Sequence, residues 1–266
     1  MEKAWNRAAD SLFMEVTGTL RAAGCVFAEE EAQLLLSAAG SPDELADMVA
    51  ERAGGLPLEY VLGWAEFCGR RIAVERGVFI PRRRSEFLAS LAIGLARQSA
   101  SPVVLDLCCG SGALGAALAA AVTNTQLYAA DVDPAAVRCA RRNITTTGRV
   151  YEGDLYEPLP VSLQGRVDVL IANAPYVPTA SIARLPHEAR LHEALAALDG
   201  GADGLDVHRR VAEAAPSWLA PGGRLLVEVS EGQAAQTVAL FEQAGLSAHV
   251  VSAEELDATV VIGAKL

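Results

Sequence analysis

The sequence is poor in positive charge. Its 266 residues include 22 Lys and Arg against 33 Asp and Glu, which gives a formal net charge of −11. Proteins that bind duplex nucleic acid neutralise phosphates with Lys and Arg, so this balance argues against such a partner. Two short basic groups are interpreted as a solvated loop and a solvated helix face: residues 82–84, and Arg138 with Arg141 and Arg142.

The sequence also lacks the cysteine spacing of a metal site or of a disulfide framework. Its five cysteines are scattered, without a CxxC pair, and an odd, scattered set argues against both kinds of cross-link. No metal is expected. We find no basic-then-apolar leader and no apolar run of membrane-spanning length. These absences predict a cytoplasmic protein without a membrane partner.

Residues 1–55 have apolar side chains at helical spacing and predict a small helical domain. Ser41, Pro42 and Glu44 predict the start of its third helix, with Ser41 as cap and Glu44 completing a capping box. Residues 56–80 no longer show the helical spacing of apolar residues. Apolar and polar residues alternate between glycines over residues 67–80, which predicts a β-hairpin in a linker.

Strands and helices alternate after residue 81. Strands are predicted over residues 103–107, 126–132, 149–152, 167–172, 223–229, 247–252 and 259–264. Helices are predicted over residues 85–97, 114–122, 134–143, 205–219 and 232–244. This rhythm predicts an α/β fold with a mostly parallel seven-stranded sheet covered on both faces, ending in an antiparallel hairpin. The expected domains are therefore 1–55, 56–80 as linker and hairpin, and 81–266.

A glycine-rich loop follows the first strand of this alternation. Gly110, Gly112 and Gly115 give the spacing GxGxxG, which is typical of a loop that holds a nucleoside cofactor. Read alone, this spacing also fits a dinucleotide site. The carboxylates around the loop are needed to decide between the two.

Three acids lie at the carboxyl ends of successive predicted strands or directly after them. Asp131, about twenty residues after the loop, suits ribose hydroxyls, and Asp154 suits an adenine amino group. Asp106 stands at the loop entry, where a carboxylate repels a pyrophosphate but receives an ammonium group directly or through water. The three acids favour S-adenosylmethionine, which carries a sulfonium and an ammonium group, over NAD.

The fourth strand ends in Asn173-Ala174-Pro175-Tyr176. The Asn173 side chain and the Ala174 carbonyl each accept one hydrogen from an incoming NH2 group, and Pro175 restricts the direction of that carbonyl. Tyr176 stacks on the planar group, and its ring attracts a sulfonium. We therefore predict catalytic roles for all four residues, and Asn173 is assigned to the cofactor site as well. The chemistry is methyl transfer to an amide or amino nitrogen.

These motifs together resemble the HemK/PrmC family of glutamine N5-methyltransferases, which act on peptide-chain release factors. The resemblance runs through residues 57–63, 66–70, 80–82 and 86, the cofactor loop with Asp106, Gly110 and Gly112, Asp131, the motif 173–176, and residues 192–193 and 197–205. It implies a class I, Rossmann-like methyltransferase fold, a helical N-terminal domain for substrate docking, and S-adenosylmethionine as cofactor. The implied partner is a protein that bears a glutamine, such as a release factor.

The sequence departs from the family pattern at three places. Ala174 replaces the first proline of Asn-Pro-Pro-Tyr, residues 83–85 replace the usual Pro-Glu/Asp-Thr run, and Ala194 stands where proline commonly follows His-Glu. These departures resemble a divergent branch. The motif therefore predicts methyl transfer to an amide more strongly than it predicts which molecule carries that amide.

Other functions remain open at this point. A nucleic-acid amino methyltransferase uses a similar motif and flips its base, but the acidity of the chain argues against it. A small-molecule or peptide amide is a further acceptor that the sequence allows. A non-catalytic binding module is disfavoured by the intact glycines, acids and Asn173. Glu228 and Glu231 lie near the fifth strand and are weaker candidates for a place near the site.

Overall fold

The computed structural model describes residues 2–145 and 148–266, with side-chain surroundings from residue 10 onward. The N-terminal part consists of helices α1 (Glu2–Ala22), α2 (Ala28–Ala38) and α3 (Pro42–Ala53), followed by the short α4 (Leu58–Leu62). Leu20, Ala32 and Leu35 are buried between them. Helices α1 to α3 form where the helical spacing predicted them, and α4 was not predicted. The domain limits 1–55 stay a prediction.

The start of α3 differs from the predicted capping box in one contact. The Ser41 hydroxyl accepts from the Glu44 N–H at 3.2 Å, as expected. The Glu44 carboxylate, however, accepts from the N–H of Gly40 at 2.7 Å instead of from that of Ser41. The side chain reaches one residue further back, so it satisfies an N–H just outside the helix.

The predicted hairpin lies earlier in the chain than expected. Its strands are β1 (Trp64–Phe67) and β2 (Arg70–Ala73), and the residues from 74 to 80 form no strand. Cys68 and Gly69 connect them with φ values of 50° and 67°. Positive φ at both central residues is the geometry of a two-residue type I′ turn, which matches the twist of the flanking strands. The turn therefore fixes the register, and the prediction over residues 67–80 was wrong in its limits.

Helix α5 (Ser85–Ala96) leads into the large sheet. Its strands are β3 (Val103–Leu107), β4 (Gln126–Asp131), β5 (Gly148–Glu152), β6 (Val167–Ala172), β7 (Leu219–Val229), β8 (Ser247–Ala253) and β9 (Ala258–Ala264). The helices between them are α6 (Ala113–Ala121), α7 (Pro134–Asn143), α8 (His187–His192), α9 (Asp206–Trp218) and α10 (Ala234–Gln243). Helix α8 was not predicted, and β7 begins before the predicted residue 223 because Leu219 already pairs with Val167 across a register shift.

The seven strands lie in the order β5-β4-β3-β6-β7-β9-β8. Pairs from β5 to β7 are parallel, and β9 is antiparallel to both β7 and β8. Apolar clusters cover both faces of the sheet. This arrangement confirms the predicted mostly parallel α/β fold with a terminal antiparallel hairpin.

The sheet brings the predicted site residues to one edge. Strands β3, β4, β5 and β6 are parallel neighbours, so their carboxyl ends meet at the same side of the sheet, where open α/β sheets bind ligands. The chain order changes direction between β3 and β6, and that switch lies between the glycine loop and the motif 173–176. Among the described residues, no helix combines the length and the apolar composition needed to cross a bilayer.

Candidate active site

One cavity of about 740 Å³ opens at the carboxyl ends of the parallel strands. That volume lies in the range of small-molecule sites. Of the predicted site residues, all except Asp106 and Gly112 line it. The glycine loop and the acids form one wall, here called the cofactor side. The opposite wall, here called the acceptor side, contains the motif 173–176, residues 84–85 and part of the segment 185–198.

The loop that forms the cofactor side leaves no room for side chains at Gly112. This residue has φ 76° and directly precedes α6. A Cβ atom built on it would lie 3.0 Å from both the Ala140 Cβ and the Ile144 Cδ1 of the neighbouring α7 region. Gly112 thus lets the loop turn and lets α7 pack closely against it. Cys108, before the glycines, also has positive φ, at 53°.

Asp131 ties this loop to the end of β4. Its carboxylate accepts from the Gly110 N–H at 2.8 Å and from the Asp133 N–H at 2.9 Å. Burial raises the pKa of Asp131, while these two hydrogen bonds lower it. The carboxylate lines the cavity with its orientation already fixed.

Asp106 lies beneath the loop and does not line the cavity. It is fully buried, and its Oδ2 accepts from the Gly115 N–H at 3.0 Å. Burial raises the pKa of Asp106 to about 7. Its Oδ1 has no hydrogen-bond partner among the described residues. In this structure Asp106 contacts the loop from below, and its predicted role of receiving an ammonium group, directly or through water, stays a prediction.

Asp154 lines the cavity together with a cation that the sequence did not point to. Its carboxylate forms an ion pair with Arg210 of α9 at 2.7 Å, and both side chains are half exposed.

The thiols of Cys108 and Cys109 lie close to Asp106 and Asp131. Burial raises the pKa of both thiols, so neither is set up as a nucleophile.

Asn173 begins the acceptor side, and α5 holds its amide. The Asn173 Nδ2 donates to the hydroxyl of Ser85 at 3.1 Å, and Ser85 is a buried residue in the first turn of that helix. With Nδ2 engaged, Oδ1 is the amide atom left to accept a hydrogen bond. Ala174 is buried next to it, and its carbonyl precedes Pro175.

Tyr176 is held by two charged residues from distant parts of the chain. Its hydroxyl donates to the Glu228 Oε1 at 3.1 Å, and the Arg84 Nε lies 3.4 Å from the same oxygen. The Arg84 guanidinium carbon is 5.9 Å from the centre of the Tyr176 ring. Burial, followed by the Glu228 charge, raises the pKa of Tyr176 well above its usual range, so the phenol stays protonated.

Comparison with known proteins decides the family. A model described as methyltransferase small domain matches residues 71–203. A release factor glutamine methyltransferase from Geobacter sulfurreducens is 41% identical over 211 residues, covering 77% of this chain and 72% of that protein. The chain belongs to the HemK/PrmC family.

Two further likenesses add to this result. A 4-amino-L-phenylalanine/4-methylamino-L-phenylalanine methyltransferase from Streptomyces pristinaespiralis is 36% identical over 202 residues, covering 74% of this chain and 68% of that protein. A solved structure, the ribosomal protein L11 methylase from Lactobacillus delbrueckii subsp. bulgaricus, has a TM-score of 0.52 at 15% identity. It covers 73% of this chain and 86% of that chain, and this likeness concerns the fold alone.

The methyl donor of this HemK/PrmC protein is S-adenosylmethionine. The residues present fit that group, because a glycine loop with an orphaned buried carboxylate atom beneath it adjoins two further acids at the cavity wall. Bound there, the cofactor supplies an electrophilic methyl group.

Another HemK/PrmC segment joins the acceptor side through a buried ion pair. Arg82 contacts both carboxylate oxygens of Glu193, at 2.6 and 2.7 Å, and the Ile80 N–H donates to the same carboxylate at 3.2 Å. Two segments that carry the family resemblance are thus one structural unit. The sequence showed both segments but not their pairing.

Sequence reasoning assigned no role to Ser85, Arg84 or Glu228. The only signal for the first two was their place in a departure from the HemK/PrmC pattern, and Glu228 was noted only as close to the fifth strand. Ser85 retains the hydroxyl that the family's threonine carries, whereas Arg84 replaces an acid with a base. Ser85, which contacts Asn173, is therefore a conservative departure from the family pattern. Arg84, which lies beside Tyr176, is a change of charge.

Proposed function

We propose that this protein transfers a methyl group from S-adenosylmethionine to the N5 amide nitrogen of a glutamine side chain, and that a peptide-chain release factor carries that glutamine. The observation that carries the proposal is the Asn173 amide, held by Ser85 and presented with the Ala174 carbonyl in the cavity of the glycine loop. Release factor glutamine methyltransferases among the relatives support the choice of acceptor.

Two acceptors facing one NH2 group solve the main difficulty of the reaction. An amide nitrogen is a poor nucleophile because its lone pair is delocalised. Hydrogen bonds from both N–H groups to Asn173 Oδ1 and the Ala174 carbonyl orient that nitrogen towards the methyl group and stabilise the positive charge that develops on it. The proton becomes acidic once the methyl group is attached, so no strong base is required at the site.

On the cofactor side we assign roles by chemistry and position. Asp131 receives the ribose hydroxyls, Asp154 receives the adenine amino group through an oxygen not used by Arg210, and Gly110 allows the backbone to approach the cofactor. Gly112 contributes to the cofactor site by letting the loop turn against α7. Asp106 supports the loop from below through the Gly115 N–H. Asn173, at the border of the two walls, serves both.

We further propose that residues 1–55 dock the acceptor protein, that 56–80 link them to the catalytic part, and that 81–266 carry the transfer. Arg52 of α3 supports this division of labour, because it pairs with Glu31 of α2 at 2.6 Å and with Glu188 of α8 at 2.7 Å. The helical part thereby contacts a residue of the cavity wall. A translation factor as acceptor implies work in the cytoplasm.

The test is direct methylation of purified release factors with S-adenosylmethionine labelled in the methyl group. We expect one methyl group on one glutamine, located by fragmentation mass spectrometry, and no label on the same factor with that glutamine replaced by alanine. Label on another residue type, or none with a folded and cofactor-binding enzyme, contradicts the proposal.

A small aromatic amine is the second candidate acceptor. The relative named for 4-amino-L-phenylalanine supports it. The same assay with 4-amino-L-phenylalanine separates the two candidates. Faster transfer to the amino acid than to any release factor favours this second function.

A further inference from the structure

Glu228 is a buried carboxylate at the end of β7 that the proposed reaction does not use. Its side chain is 3% exposed, and it does not line the cavity. Oε1 receives both the Tyr176 hydroxyl and the Arg84 Nε, whereas Oε2 has no partner among the described residues. A carboxylate in such surroundings is stable as an anion only with a close counter-charge, and Arg84 is in position to supply it.

The other groups around Glu228 do not offer a charge. His208 of α9 lies 6.5 Å from Tyr176 between ring centres, edge-on, and its Nε2 is 3.3 Å from the Glu228 backbone oxygen. Burial lowers the pKa of His208 to about 4, so its imidazole is neutral at physiological pH. The interaction that orients the phenol of Tyr176 is therefore the charged contact with Glu228.

The contact matters because Tyr176 lines the cavity immediately after Asn173, Ala174 and Pro175. A phenol that donates to a carboxylate has the long axis of its ring fixed, since the hydroxyl at the far end of that axis must stay within reach of one oxygen. A ring fixed in this way is a preformed surface for a planar acceptor group. Loss of the contact frees the ring without removing it.

We propose that Glu228 is a positioning residue for Tyr176, that Arg84 is its counter-charge, and that the three side chains act as one unit on the acceptor side. The inference rests on the proposed methyl transfer for its kinetic consequence, but the contact itself is independent of the acceptor. Arg84, the residue that departs most from the family pattern, is thereby given a function: it pairs with the buried carboxylate that holds Tyr176.

The kinetic experiment compares Glu228→Gln, Tyr176→Phe and the double variant on the acceptor found by the methylation assay. We expect each single variant to lower kcat by about 10-fold, the value of one charge-assisted hydrogen bond, with the KM for S-adenosylmethionine unchanged. The double variant is expected to be no slower than the slower single variant, because both remove the same contact. Arg84→Gln is expected to cause a smaller loss of about 3-fold.

Two exposed neighbours provide matched controls. Glu231→Gln and Arg83→Gln make the same chemical changes at positions that do not line the cavity, and we expect wild-type rates from both. Additive losses in the Glu228→Gln/Tyr176→Phe pair, or a Glu228→Gln rate equal to that of Glu231→Gln, overturn the proposal. Thermal unfolding of each variant identifies a loss caused by misfolding, in which case Glu228→Asp replaces Glu228→Gln.

A spectroscopic readout separates this inference from the proposed function. The chain has five tyrosines, and labelling with 3-fluorotyrosine gives each a fluorine resonance, with that of Tyr176 assigned by its absence in Tyr176→Phe. We expect Glu228→Gln and Arg84→Gln to shift or broaden this resonance and both controls to leave it unchanged. An unmoved resonance contradicts the inference even if methylation succeeds. A shifted resonance supports the inference even if no release factor is methylated.

Discussion

The two walls of the cavity are built in opposite ways. The cofactor side comes mainly from one stretch of chain, residues 106–154, and its loop is held by contacts between carboxylates and backbone N–H groups, as Asp131 makes with Gly110. The ion pair between Asp154 and Arg210 is its side-chain contact with a distant element. The acceptor side comes from three distant segments, and its contacts join side chains to side chains, as in Ser85–Asn173 and Glu228–Tyr176. Backbone-based contacts tolerate many side-chain identities nearby, whereas each side-chain contact needs both partners. Divergence within the family is therefore expected on the acceptor side.

Among the proposed substitutions, a change of Asn173 is expected to have the largest effect on methyl transfer, because this residue lies between the two walls. We expect Asn173→Ala to reduce transfer by at least about 100-fold, as for loss of a transition-state hydrogen bond, while binding of S-adenosylmethionine remains. Single-turnover methylation and calorimetry measure the two effects. A small loss of turnover means that Asn173 only ends a strand, and a loss of cofactor binding means that the two walls are not separable at this residue.

The buried Asp106 allows a test of whether the cofactor side lowers the free energy of unfolding near neutral pH. Its carboxyl has a pKa raised from 3.8 to about 7 by burial. Between these pH values the unfolded chain has released the proton and the folded chain has kept it, so this group's contribution to stability is full below pH 3.8 and lost as the pH rises through 7. The slope is up to about 1.4 kcal/mol per pH unit.

We therefore expect Asp106→Asn to have a flatter stability profile than the wild type from pH 5 to 8, measured by urea unfolding. The Asn oxygen still accepts from the Gly115 N–H. Asp257→Asn, a change in the β8–β9 connection at a residue with φ 49°, is the control, since asparagine suits that conformation. Parallel profiles for wild type and Asp106→Asn show that the Asp106 carboxyl does not retain its proton in the folded state.

Asp131 provides the corresponding test on the cofactor side, where the expected effect is on the affinity for S-adenosylmethionine. In Asp131→Asn, an NH2 group faces one of the two N–H donors, Gly110 or Asp133, so the loop loses a hydrogen bond and the ribose loses a charged acceptor. We expect affinity for S-adenosylmethionine to fall about 10-fold, measured by calorimetry, with Asp257→Asn again as control. Unchanged affinity means that the loop holds the cofactor without this acid.

Ala174 is expected to give the smallest effect, because its functional atom is a backbone oxygen. Ala174→Pro should keep cofactor binding and at least part of the activity, since Pro175 already holds residue 174 extended. Ala174→Gly should lose more, about 3-fold, because glycine frees the carbonyl. Single-turnover methylation by the three proteins decides, and a dead proline variant beside a fully active glycine variant means that the acceptor side is arranged for another substrate.

The same contrast explains what the sequence could predict. Strands β3 to β9 follow local apolar patterns, and every one was located within a few residues. The glycine loop and Asp131 are also local signals, because their partners lie at fixed distances along the chain. The hairpin limits failed because Cys68-Gly69 forms its turn with positive φ at a non-glycine residue, which the glycine pattern alone does not indicate.

The acceptor side resisted prediction for a physical reason. Nothing near residue 84 in the chain signals that its guanidinium meets Glu228, since the two are joined only after α5 and β7 pack against each other. Asp106 illustrates a different limit: the sequence places it at the loop entry, but whether it reaches the cavity depends on the direction of one side chain. That direction follows from the Gly115 N–H, which becomes a partner only once the loop has turned into α6.

The close approach at Gly112 also limits how this chain can change over evolutionary time. Alanine at this position would put a methyl group against Ala140 and Ile144 at the same moment, besides requiring the backbone to leave its present conformation. No single substitution relieves both contacts, because one lies in α7 and the other at its end. A side chain at residue 112 therefore requires a strained backbone and a shift of α7 by a few tenths of an ångström together, so substitutions are expected to accumulate more readily at other positions of the cavity.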